Sequence, residues 1–340
     1  MKHFLLSISL LWIAAGNNLL HAQSAKDTAT MLLRLYEDND FINIYLKGTD
    51  NAYTNGTQIN LFYKKKKKSH FFVDWIMPKA GDSSVNVYGW GITQLMYTPN
   101  DIATSDYQPD DYPYAGALFA THSLYSYNAA KKFDLQTEIE LGVSGSDAFT
   151  KQTQTLVHRL IHYQEPMGWE HQAKNTLIIN VNFTAEKQLA AYNGWLELIA
   201  GAQASAGTMY NAVSMYPEMR IGKMSPYFNG YISQYSKSRK GRNKLQAYVF
   251  AKPQPLLVLS DELLQAKAAE TVSTVNKNAD APDESGKPYH AINSVVYYFS
   301  YGAVVTSGHF SISFTETSNT ALLKGLYDHK FGNISLYFSW

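Results

Sequence analysis

Strict two-residue alternation of apolar and polar side chains recurs along this chain, and no other feature constrains its fold as tightly. Between positions 133 and 143, Phe133, Leu135, Ile139, Leu141 and Val143 share one face, while Asp134, Gln136, Glu138 and Glu140 share the other. Phe310, Ile312 and Phe314 alternate with His309, Ser311, Ser313 and Thr315. The chain closes on GNISLYFSW, where Ile334, Leu336, Phe338 and Trp340 oppose Asn333, Ser335, Tyr337 and Ser339. Such a period means strands with one apolar and one wet face. Segments of this kind fall near 30–40, 53–64, 85–98, 113–127, 132–145, 174–187, 193–207, 210–221, 245–260, 290–305, 307–316 and 330–340. That makes about twelve strands, an even number, as closure of a bacterial barrel requires.

These strands suit a soluble barrel or sandwich with a wet exterior, or a transmembrane barrel with a wet lumen. Three features select the membrane. Met1-Lys2-His3 is a short positive start, Phe4 to Ala15 an apolar run and HAQSAKD a cleavage region, so 1–23 reads as an export signal and 24–340 as the barrel. The 25 Tyr and 6 Trp can furnish interfacial girdles. The last strand ends on an aromatic residue, a terminus that resembles the end of bacterial outer-membrane barrels. No segment after the leader approaches the ~20 apolar residues of a membrane helix. Without cysteine, neither disulfides nor thiolate metal sites are available, so rigidity must come from closing the sheet. A net charge of +1 gives no reason to expect a nucleic-acid partner. The expected fold class is all-β: a single, monomeric, antiparallel transmembrane β-barrel of about twelve strands.

If the mature amino terminus starts on the periplasmic side, loops after odd-numbered strands lie at the cell surface: 41–52, 99–112, 146–173 and 261–289. The runs Lys64–Lys68 and 236–244 then fall on the periplasmic side, where a basic run is expected to be a solvated turn. On the first strand Met31, Leu33 and Leu35 face lipid and Arg34, Tyr36, Asp38 and Asp40 face inward. On the second, Ile59, Leu61 and Tyr63 face out and Thr54, Gln58 and Asn60 face in. Asp40 and Thr54 should then meet inside the mouth, provided no bulge intervenes. The third surface loop carries a helix from about Thr150 to Tyr163, stopped by Pro166. Leu156, Val157, Leu160, Ile161 and Tyr163 form its apolar stripe, and Lys151, Gln154, His158, His162 and Glu165 its polar face. Packed over the mouth, it would point His158 inward. Asn-Asp and Thr-Asn-Gly are also ordinary turn formers.

The ordered motifs NDF, YTNG, DDYPYAG and HRLIHYQEPMGWEHQ resemble those of the outer-membrane lipid A 3′-O-deacylases, the LpxR family, over essentially the whole mature chain. The resemblance implies a calcium-dependent ester hydrolase acting on lipid A, or lipopolysaccharide, with its active site facing the outer leaflet of the bacterial outer membrane. It assigns the Asn-Asp pair to Asn39 and Asp40, the hydroxyl position of the second strand to Thr54 and the catalytic histidine to His158. Asp40 and Asn39 would hold Ca2+ as hard oxygen donors, and neutral His158 would take a proton from the attacking water. Some members carry a glutamate six residues after the histidine. Gln164 stands there, with Glu165 next as a possible substitute by a one-residue shift. A Gly-Pro before the helix in relatives is Gly145-Ser146 here. The 99–112 loop holds Asp101, Asp106, Asp110 and Asp111 but neither Lys nor Arg, a poor surface for lipid A phosphates. Two other expectations stand beside the deacylase: a non-catalytic channel or scaffold, and an outer-membrane esterase acting on phospholipid.

Overall fold

The computed structural model describes residues 29–44, 51–67, 69–236, 245–265 and 290–340. The expected export signal, the basic stretch 237–244 and most of the 261–289 loop lie outside these residues. Among the described residues, twelve antiparallel strands close into a barrel in chain order. They are β1 (Met31–Asn39), β2 (Ala52–Tyr63), β3 (Val85–Thr98), β4 (Ala115–Asn128), β5 (Phe133–Ser144), β6 (Thr176–Tyr192), β7 (Leu196–Gly207), β8 (Tyr210–Lys223), β9 (Leu245–Asp261), β10 (Val295–Ser307), β11 (Phe310–Asn319) and β12 (His329–Ser339). β1 closes the ring against β12, from Leu32 opposite Ser339 to Asn39 opposite Gly332. Short helices decorate it: α1 (Val73–Ile76), α2 (Thr150–Ile161), α3 (Tyr231–Gln234) and α4 (Glu262–Gln265).

The alternation behaves as the sequence implies. Ile59, Trp90, Ile92, Leu141, Leu177, Ile179, Val249 and Phe299 are exposed on the outer wall. Arg34, Asn60, Thr93, Thr121, Glu140 and Asn182 line a central cavity of about 350 Å³. A barrel in lipid must satisfy every backbone polar group between strands, and the closed ring does so. No helix among the described residues is long and apolar enough to cross a membrane.

Two strand ends depart from expectation. β6 runs on to Tyr192 because the three-residue connection to Leu196 turns tightly, with Asn193 (φ 48°) and Gly194 (φ 72°) left-handed and the Trp195 N–H donating to the Tyr192 carbonyl at 3.1 Å. β10 starts at Val295, not 290. Ile292 instead leaves the wall, bridges to Leu323 and joins a cluster with Tyr112, Leu322 and Leu326 at the end that carries the long loops.

Both ends of the described chain lie at the opposite, terminal end, where the Thr30 N–H donates to the Trp340 carbonyl at 2.8 Å. There the segment around α3 folds into the mouth. Phe228, Tyr231 and Ile232 pack with Phe62, Tyr125, Tyr127 and Tyr337 from the inner wall. The Tyr235 and Tyr337 rings stack at 3.8 Å. Polar bonds fix this plug: Arg34 donates to the Tyr231 hydroxyl (3.1 Å) and the Tyr227 hydroxyl to Glu186 (2.6 Å). The terminal end of the lumen is therefore packed.

Candidate functional site on the outer wall

The register of the sheet draws a line across the outer face. Gly116 on β4 opposes Met96 on β3, Met96 opposes Asn55 on β2, and Asn55 opposes Asn39 on β1. Helix α2 lies along this line. At Gly116 a Cβ would collide with Thr150, so glycine is what lets the first turn of the helix touch the wall. The carbonyl just before the helix, at Ala148, accepts a 2.7 Å bond from Gln94, an outward side chain on β3. One turn on, Gln154 accepts from the indole of Trp169 at 2.7 Å, and Trp169 covers Met96 together with Tyr114 and Ile102. A further turn brings His158, whose ring meets Tyr163 edge-on at 5.1 Å, while Tyr163 meets Phe41 at 6.3 Å. Eight residues of helix rise about 12 Å, enough to cross two strand spacings of about 4.8 Å each. The imidazole thus arrives over the β1–β2 end.

This placement corrects one expectation. α2 does not pack over the mouth with His158 aimed into the lumen. Thr150, Gln154 and His158 are buried against the outer face of the wall, while Leu156, Val157 and Leu160 are exposed. An amphipathic helix on a lipid-facing wall reverses the sense it has on a water-soluble core: polar contacts go inward and the apolar stripe goes out.

The end of α2 sets the imidazole. His162 sits in the left-handed region (φ 56°), its N–H donates to the Arg159 carbonyl (3.3 Å), and the Tyr163 N–H donates to the His158 carbonyl (2.8 Å). This pair of bonds is a Schellman stop, and it turns the chain back so that the Gln164 carbonyl meets His158 Nδ1 at 2.5 Å. A backbone carbonyl only accepts, so Nδ1 carries the hydrogen, and in the uncharged ring that tautomer puts the lone pair on Nε2. The Gln164 side chain points elsewhere, donating to the Glu165 carbonyl at 2.9 Å. Glu165 does not take its place: its carboxylate is paired with Arg159 at 2.8 and 2.9 Å on the exposed side. The main chain of residue 164 performs the orienting, so the loss of a carboxylate there leaves this contact intact.

Asp40 is fully buried at the tip of β1. Its N–H donates to the Thr54 carbonyl (3.3 Å), its carboxylate accepts from the Asn51 N–H (2.9 Å), and its carbonyl accepts from Asn43 (2.6 Å). Asn39 spends its amide oxygen on the Phe41 N–H at 2.8 Å, the Asx turn that ends the strand. The turn then leans outward over β12 and β11. The Ile42 carbonyl occupies the space a Cβ on Gly332 would need, and the Ile44 N–H donates to Glu316 at 3.2 Å.

A bulge does intervene at Thr54. β2 and β3 change register between Tyr53 and Asn55. Tyr53 donates into the lumen, to Asp38 at 3.0 Å, whereas the Thr54 hydroxyl pairs with Thr98 at 2.6 Å. Thr98 belongs to the outward set of Ile92, Gln94 and Met96, so Thr54 turns to the outer wall and does not meet Asp40 inside the mouth as expected. One inserted residue reverses the facing of everything beyond it.

Sequence reasoning missed Glu37. It accepts from the amide of Asn55 at 2.5 Å and the hydroxyl of Thr57 at 2.7 Å, holding the β1–β2 hairpin just below Asp40. The signal was present: an acid follows Leu33 and Leu35 in the lipid-facing series, where apolar residues belong. Among the rim acids, Asp111 accepts from Asn100, Tyr112 and Tyr327, and Asp101 from Ala103. These two shape their loop.

Fold and site define a class: a transmembrane barrel with a plugged terminal end and a polar site clamped between its outer wall and a surface-loop helix. The family model described as outer membrane protein LpxR matches residues 4–340. The chain belongs to that family, and its place is the outer membrane. Among solved structures, LpxR from Salmonella typhimurium superposes with a TM-score of 0.70 at 17% identity, covering 91% of this chain and 100% of the other. The β domain of the Bordetella autotransporter BrkA gives a TM-score of 0.42 at 9% identity, covering 92% of this chain and 100% of its own. No curated protein matches in sequence.

Proposed function

We propose that this protein is an outer-membrane lipid A 3′-O-deacylase, a carboxylic ester hydrolase in which His158 activates the attacking water. The observation that carries the reading is the tautomer: the Gln164 carbonyl accepts from Nδ1–H, which makes Nε2 the basic nitrogen. The base takes a proton from water, the resulting hydroxide adds to the ester carbonyl carbon, and the sugar oxygen departs with the proton returned by His158. Water hydrolyses the ester directly, and Thr54 is no nucleophile: its hydroxyl is engaged with Thr98.

The oxygens at the tip of β1 are hard ones: the Asp40 carboxylate, which accepts from the Asn51 N–H, the Asp40 carbonyl, which accepts from the Asn43 amide, and the Thr54 carbonyl, which accepts from the Asp40 N–H. Among the described residues, no three Asp, Glu or His side chains gather as a metal cage. A calcium ion, which takes carbonyl and amide oxygens readily, fits this set better than a softer metal. When bound, calcium would supply charge stabilisation to the ester oxygen. Asp40 is the residue to hold it. Asn39 contributes by shaping the turn.

The site's position favours a lipid substrate delivered from the membrane. Leu156, Val157, Leu160, Phe41 and Ile44 are exposed around it, so acyl chains of the outer leaflet meet apolar side chains on the way to His158. The filled terminal mouth favours a hydrolase over a channel. Mass spectrometry of lipids from cells expressing the protein tests the reading. Loss of one ester-linked acyl chain from lipid A, abolished in His158→Ala and by chelation of calcium, is expected. Release of fatty acid from phospholipid alone would replace lipid A as substrate, and ion conductance without any acyl release would overturn the hydrolase.

A further inference from the structure

At the terminal end, the run Lys64–Lys67 is only in part the solvated turn that was expected: Lys66 and Lys67 are exposed in a bend, while Lys64 and Lys65 are half-buried. Lys65 pairs with the buried Asp74, donates to Ser69 at 2.7 Å and lies 4.2 Å over the Tyr88 ring. Asp74 in turn bonds Nε2 of His122 at 2.7 Å, an outward residue of β4 whose ring stacks near Trp90 at 4.2 Å. These contacts fold α1 back against the outer face of β3 and β4, far along the strands from His158. Phe72, Trp75 and Ile76 are left exposed, 58% to 71% for Trp75 and Ile76. The indole N–H of Trp75 donates to the Ser69 carbonyl at 2.8 Å, which fixes the ring.

Beside this aromatic edge lies a cleft of about 440 Å³ lined by Lys64, Lys65, Lys67 and Lys79, with Trp75 and Tyr88 as walls. Asp74 is the acid closest to hand, and Lys65 and His122 already engage its two oxygens. Of the other three lysines, Lys64 donates to the Ala29 carbonyl and Lys79 to the Asp74 carbonyl, each at 3.3 Å, and Lys67 is exposed, so their charges line the cleft with no carboxylate of its lining to answer them. Burial lowers the Lys64 ammonium below its ordinary value, and a bound anion would offset that.

We propose that this cleft binds the phosphate of an anionic phospholipid headgroup, with the lipid's chains lying along Phe72, Trp75 and Ile76. Charge selects the headgroup and the exposed aromatic edge selects a lipid over a free anion: basic pockets at the ends of membrane-spanning segments recognise acidic headgroups in this way, and aromatic side chains seat at the interface. The inference rests on the orientation proposed above only for the leaflet concerned, the periplasmic one. Binding itself can be tested without it.

Full-length protein folded in detergent would be mixed with equal amounts of phosphatidylglycerol and phosphatidylcholine of identical chains, and the retained lipid counted by native mass spectrometry. The parent should prefer phosphatidylglycerol by roughly tenfold or more. K64Q/K67Q/K79Q should lose the preference, and K64R/K67R/K79R should keep it. Heat-dependent electrophoretic mobility verifies that each variant is folded. Lipid A hydrolysis should be the same in all three proteins, which separates this site from the one at His158. Equal retention of the two lipids by the parent, or unchanged preference in the glutamine variant, would overturn the proposal. Displacement of phosphatidylglycerol by millimolar inorganic phosphate would also overturn it, by making the cleft a free-anion site.

Discussion

His158 Nδ1 lies 2.5 Å from the carbonyl oxygen of Gln164, six residues on, across the left-handed stop that ends α2. The contact is made by the main chain, so it specifies a fold of the loop and not a side chain at position 164. Gln164→Glu and Gln164→Ala should both keep lipid A hydrolysis within a few-fold of the parent. His158→Ala and His158→Gln should lose about 10²–10⁴ of the rate, the usual contribution of a positioned base, with the barrel folded. Acyl release followed by mass spectrometry reads both sets.

Gly332 sits under the turn that carries Asp40, with the Ile42 carbonyl in the space a Cβ would need. Gly332→Ala must push that turn away from β12 while leaving strand pairing possible. Activity should fall about 10²-fold, the scale of a 1 Å misplacement, with little change in heat-dependent electrophoretic mobility. Unchanged activity would mean the turn tolerates displacement.

Glu37 offers a separation of stability from activity. Glu37→Ala removes two charge-assisted bonds and should destabilise the barrel by about 1–3 kcal/mol. Glu37→Leu suits a lipid-facing position and should recover most of that in a thermal melt. Hydrolysis should remain impaired in both, because Asn55 and Thr57 lose the acid that holds the hairpin beneath Asp40.

The attachment of α1 depends on pH. Burial by itself would raise the Asp74 carboxyl, but hydrogen bonds from Lys65, Ser69 and His122 together hold it below its ordinary value. A lowered carboxyl stabilises the folded state fully above its unfolded value of about 3.9. That contribution is lost as the pH falls through the lower folded value. Trp75 fluorescence in detergent should therefore be constant from neutral pH down to about pH 4 and shift below it, and Asp74→Asn should remove the transition.

The barrel was legible because its signal is redundant: each strand repeats the same alternation, and single misplaced ends, as at β6 and β10, leave the rest unharmed. The site was legible only as a set of residues. Parity carries facing information along a strand without correction, so the one extra residue at Thr54 put its hydroxyl on the other side of the wall from the one expected. The helix suffered a related inversion. Leu156, Val157 and Leu160 mark an apolar stripe in either solvent, but the side to which such a stripe turns depends on whether lipid or water surrounds the wall. Glu37 was visible as an acid among leucines and went unused because strand ends tolerate exceptions.

Tyr227, Phe228, Tyr231 and Tyr235 fill the terminal mouth against Tyr125, Tyr127 and Tyr337. The envelope's exclusion of dyes and bulky antibiotics should accordingly stay intact at any copy number of this protein. Its cellular dose is then bounded by how much surface lipid it remodels, and not by leakage.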